Sequence, residues 1–108
     1  MPALTVFEMA TINGAKAMGL DNQVGSIEVG KKADLVIVDL DELRTAPSSG
    51  VDVYTQLVYQ VQSSQVCTTI VDGRVVMEDR ILKTMDERVV RRKADESLHR
   101  LTQSVKLK

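Results

Sequence analysis

Two apolar, β-branched runs at 66–71 and 74–77 are joined by Asp72-Gly73 alone. An Asp-Gly pair supplies the positive φ angles of a type I′ turn, and that turn has the twist that folds one strand back on another. The chain is thereby committed to an antiparallel hairpin over 66–77. A hairpin by itself is marginal in water and needs further strands or a packed helix. The strongest additional strand signal is 33–40, Ala-Asp-Leu-Val-Ile-Val-Asp-Leu, whose β-branched middle is closed by acidic residues. A shorter extended piece is expected at 25–29, followed by a turn at Gly30-Lys31-Lys32.

Helical signals lie on either side. Residues 2–20 predict one helix: Pro2 suits a first position, and Leu4, Phe7, Ala10 or Thr11, Ala15 and Met18 form a stripe. Gly19 offers the stop, and Gly14 within the helix implies close packing against another element. The tail predicts a second helix from residue 84, with Thr84 capping and Glu87 reaching back. Its stripe is Val90, Ala94, Leu98, Leu101 and Val105. Residues 53–61 fit either a short helix or a strand, the helix being preferred, and 41–52 reads as a loop. Helix, strands, loop, hairpin and helix make an α+β fold.

Composition narrows the function. The 108 residues include one Cys, one His, no Trp and 3% aromatics, with net charge −1. Few aromatics and no basic excess argue against nucleic acid. The lone thiol, Cys67, fits a reducing, cytoplasmic compartment, and neither a membrane span nor a secretion signal is expected. With His99 as the only imidazole, a His-rich hydrolytic metal centre cannot be assembled from one copy of the chain.

Each candidate for chemistry has a plainer structural role. Residues 25–32 approach a phosphate-binding loop. They lack the hydroxyl that would hold Mg²⁺, because Lys32 occupies that position, and a strand rather than a helix follows. A turn with solvated lysines is the expectation. Glu96 and His99 have the spacing of a di-iron helix pair but lack its partners, so a solvated His99 is expected. Cys67 has no basic neighbour and is expected to be a buried structural thiol. Asp34 and Asp39 are expected at strand ends and turns rather than on a metal. Ser48-Ser49-Gly50 is a loop without a base. Arg88, Arg91, Arg92 and Lys93 concentrate positive charge, expected on a solvated face.

Three stretches together carry a family likeness. The run Met9-Ala10-Thr11-Ile12-Asn13-Gly14-Ala15-Lys16-Ala17-Met18-Gly19-Leu20 resembles the "MATxNGAxALGL" helix of metal-dependent amidohydrolases. Residues 25–36 are similar to that family's "GSLEVGKKADLV" segment, and Val71-Asp72-Gly73-Arg74-Val75-Val76 resembles its "VxVNGxxV" hairpin. Leu57-Val58-Tyr59 and the capped tail helix occur in the same order in the cytosine deaminase and chlorohydrolase-like branch.

The resemblance implies a piece of such an enzyme. In the family a TIM-type barrel holds a divalent metal, Zn or Fe, through an HxH pair, two further His and an Asp, and metal-activated water attacks an amidine, amide or halogenated ring carbon. Those ligands lie upstream of the segment matched here, so no catalytic, metal or substrate-binding residue carries over, and no cofactor is expected in this chain. The implied fold is the last barrel helix (1–22), the C-terminal half of a small β-sandwich (23–83, with the hairpin near 66–77) and a terminal amphipathic helix (84–108). The expected role is that of a C-terminal fragment of a hydrolase acting on non-peptide C–N or C–Cl bonds, structural and inactive alone. Its partner would be a missing barrel half or itself as a homo-oligomer. The alternative is a free-standing α+β interaction module that homodimerises.

Overall fold

A computed structural model describes residues 1–41 and 49–105. The hairpin forms as the turn chemistry dictates: β2 (Val66–Val71) and β3 (Arg74–Glu78) pair antiparallel around Asp72 and Gly73, at φ 49° and 77°. The strand expected at 33–40 is β1 (Leu35–Val38), antiparallel to β2 with Leu35 opposite Ile70. A two-residue β4 (Ile81–Leu82), not anticipated, extends the sheet to the order β1-β2-β3-β4. It follows a second tight turn in which Asp79 and Arg80 both take positive φ, 48° and 64°. That turn lacks the glycine by which the first is recognised, so composition gives no sign of it.

The single helix expected over 2–20 is two, α1 (Ala3–Ala10) and α2 (Ile12–Ala17). Thr11 breaks it at φ −123° and ψ −103°. Its hydroxyl donates to the Phe7 carbonyl at 2.8 Å, a side-chain bond that competes with the helical ladder. The close approach expected at Gly14 is against this break, since a Cβ there would lie 2.9 Å from the Met9 carbonyl oxygen. α2 stops as expected at Gly19: the Leu20 amide donates to the Ala15 carbonyl at 2.8 Å, and that of Gly19 to Lys16 at 3.0 Å.

Residues 25–29 form no strand. The Lys32 amide donates to the Gln23 carbonyl at 2.8 Å, closing the segment into a loop and leaving Ile27 86% exposed. The ambiguous 53–61 stretch is helical. α3 (Val53–Thr55), capped by the Asp52 carboxylate, runs directly into a π-helical turn, Gln56–Gln60. The Phe7 and Tyr54 rings pack at a 60° tilt, centroids 5.2 Å apart, where α1 meets α3.

The tail helix, α4 (Glu87–Ser104), begins later than the expected cap at Thr84. Asp86 takes that role, its Oδ1 accepting from the amides of Arg88 at 2.9 Å and Val89 at 3.4 Å. A carboxylate beside the first turn both fills those donors and opposes the helix dipole. None of its residues is buried, and Leu98 on the stripe is 61% exposed.

The described residues therefore enclose almost no core, with Ala15 the only buried apolar side chain among them. The radius of gyration is 18.9 Å, against about 13 Å for a compact domain of this length. The accessible surface is 8627 Å², whereas a compact monomer of this mass exposes about 5,900 Å². About 2,700 Å² of surface is thus in excess.

Candidate functional site

An open groove of about 910 Å³ lies between α1, α2, the 24–28 loop and β1. Phe7, Ile12, Met18, Ile27, Val36 and Tyr54 line it with apolar surface, and Ser26, Glu28 and Asp34 also line it. Its floor depends on a backbone contact. Gly25 at φ 96° brings the loop against α2 so closely that a Cβ would lie 2.7 Å from the Ala15 Cβ.

The loop is closed by a polar cluster. Lys31, expected to be solvated, folds back with its side chain only 12% exposed. Its Nζ donates to Ser26 Oγ at 2.6 Å and pairs with Glu28 Oε2 at 2.9 Å, while Ser26 Oγ donates to the same carboxylate oxygen at 2.5 Å. The Ser26 hydrogen bond, then the Lys31 ammonium, hold the Glu28 carboxyl below its ordinary range. A carboxylate whose pKa is lowered is too weak a base to activate the Ser26 hydroxyl that donates to it. The cluster works as a loop clasp.

The other singled-out residues fall elsewhere. Asp34 Oδ1 accepts from the Asp72 amide at 2.7 Å, tying the hairpin turn to the entry of β1. Asp39 Oδ1 accepts from the Asp41 amide at 2.9 Å, and its Oδ2 lies 3.7 Å from Arg80 Nη2. Both aspartates therefore hold strand ends. Cys67 is only half-buried, not enclosed as expected. It sits on β2 with its Sγ 3.3 Å from the Ile37 carbonyl. Glu96 and His99 are not brought together. Glu96 lies 3.7 Å from Arg92, and His99 Nε2 is 3.0 Å from the Gln103 amide nitrogen on an exposed face. Arg88, Arg91, Arg92 and Lys93 are exposed on α4. Ser49 and Gly50 form an exposed turn, and Ser48 lies outside the described residues.

Sequence reading missed Gln65, which is fully buried. Its Nε2 donates to the Asp39 carbonyl and its Oε1 accepts from the Gln62 amide, both at 3.0 Å. The Gln62-x-x-Gln65 spacing ahead of a strand was the available signal, the glutamine version of a reciprocal cap.

Residues 1–76 match the model of the amidohydrolase family. The chain belongs to that family. Over 86 residues it is 49% identical to 5-methylthioadenosine/S-adenosylhomocysteine deaminase of Thermoanaerobacter pseudethanolicus, covering 80% of this chain and 20% of that enzyme. Among solved structures, a zinc-bound adenosine deaminase from Xanthomonas campestris overlays with TM-score 0.85 and 38% identity, covering 96% of this chain and 23% of the other. Atrazine chlorohydrolase from Arthrobacter aurescens TC1, complexed with zinc, overlays with TM-score 0.72 and 26% identity, covering 86% and 20%. The chain spans about a fifth of the length of the curated relatives it matches. The segment matched is the C-terminal part of the family.

Those two solved relatives hold zinc. Among the described residues no group of three or more His, Cys, Asp or Glu is placed to hold a metal ion. The one imidazole is on exposed α4.

Proposed function

We propose that this chain is the C-terminal structural part of an amidohydrolase-type hydrolase that acts on non-peptide C–N bonds, of the adenosine-deaminase kind. The observation that carries the reading is the excess of about 2,700 Å² of surface over a compact monomer. This surface is apolar along the groove, at Val36 and Ile37 on β1, and along α4. Exposed apolar residues gathered on several elements are what a further part of the protein would cover.

In this reading α1 and α2 are the barrel's helical contribution, the sheet β1–β4 is one half of a small sandwich, and α4 is an outer helix. The rest of the enzyme covers the groove, pairs with the open edge of β1 and supplies the metal ligands. The reaction replaces the exocyclic amine of an aminopurine nucleoside: water adds at the ring carbon, the C–N bond breaks and ammonia leaves. The residues of this chain support the reacting groups and touch none of them. No helix of the described residues is long and apolar enough to cross a membrane, and the single thiol fits a cytoplasmic setting. A free-standing dimerising module fits less well, because a two-fold dimer needs one self-complementary patch and here the apolar surface is spread over three elements.

The test adds this chain in trans to the Xanthomonas campestris adenosine deaminase from which the matched segment has been removed. The expected result is restored release of ammonia from adenosine, with none from the chain alone. Turnover by the chain alone, or full activity of the shortened enzyme without it, would overturn the proposal.

A further inference from the structure

We draw no further inference here: the strongest candidate, the exposed apolar stripe of α4 formed by Val90, Ala94, Leu98, Leu101 and Val105, is an unpartnered helix face, and nothing in the structure shows what covers it.

Discussion

Gly25 and Gly30 form a natural experiment within one loop. Both have positive φ, 96° and 91°, but their surroundings differ. A Cβ on Gly25 would sit 2.7 Å from the Ala15 Cβ, 3.0 Å from the Ile12 Cα and 3.2 Å from the Thr11 carbonyl oxygen, whereas a Cβ on Gly30 meets nothing within 4 Å. Alanine at either site carries the left-handed backbone penalty, about 1–2 kcal/mol. Only Gly25→Ala adds overpacking against backbone that has little room to give, about 1–3 kcal/mol more. The two variants should therefore differ by about 1–3 kcal/mol, or about 4–8 °C of melting temperature per kcal/mol in a domain near this size. Thermal unfolding followed by circular dichroism measures the gap. Amide exchange at Leu20, whose N–H is bonded to the Ala15 carbonyl, localises it to α2. Equal shifts for the two variants would refute the argument that the loop rests directly on α2.

The remaining predictions concern the polar ties. Arg80 holds the second turn through a 2.9 Å bond from its Nε to the Ser64 carbonyl, at a backbone φ that favours glycine. Arg80→Ala should cost about 1 kcal/mol for the exposed side-chain bond, while Arg80→Gly should melt above it because the left-handed backbone is relieved. A Gly variant that melts lower than the Ala variant would contradict this. Asp52→Ala should destabilise the helical stretch 53–60 by about 1 kcal/mol, read as faster amide exchange at Tyr54 and Thr55, the two donors it caps. Glu28 has a folded pKa below its ordinary value of 4.5. Its contribution is thus complete above the unfolded value and is lost as pH falls through the lowered folded one. Acidification below about pH 4.5 should loosen the 23–32 loop in NMR spectra, and Glu28→Gln should remove that pH dependence.

Several elements were legible in the sequence because their causes are local. Asp72-Gly73 dictates its turn through backbone sterics, and β-branched 33–40 and the helical spacing of Val90, Ala94, Leu98, Leu101 and Val105 declare strand and helix through side-chain packing preferences. The family was legible for the same reason: its three motifs are contiguous runs. The break at Thr11 was not, because the choice between continuing a helix and bonding a hydroxyl to the Phe7 carbonyl depends on where the following helix has to lie. Lys31 reads as a solvated turn residue until the loop brings Ser26 and Glu28 to its ammonium.

What the amino-acid order settled by itself was the 66–77 hairpin, a strand within 33–40 and the tail helix, the family the chain belongs to, and that one imidazole cannot make a multi-histidine metal site. Tertiary structure alone decided what each segment faces. The 25–29 stretch has strand-like residues, but a strand exists only where a neighbouring strand receives its hydrogen bonds, and here the Gln23 carbonyl takes the Lys32 amide and closes a loop instead. The α4 stripe has the composition of a buried face and stands exposed, and Cys67 is only half-buried. Burial is a relation between a side chain and whatever lies against it, so no local pattern can contain it.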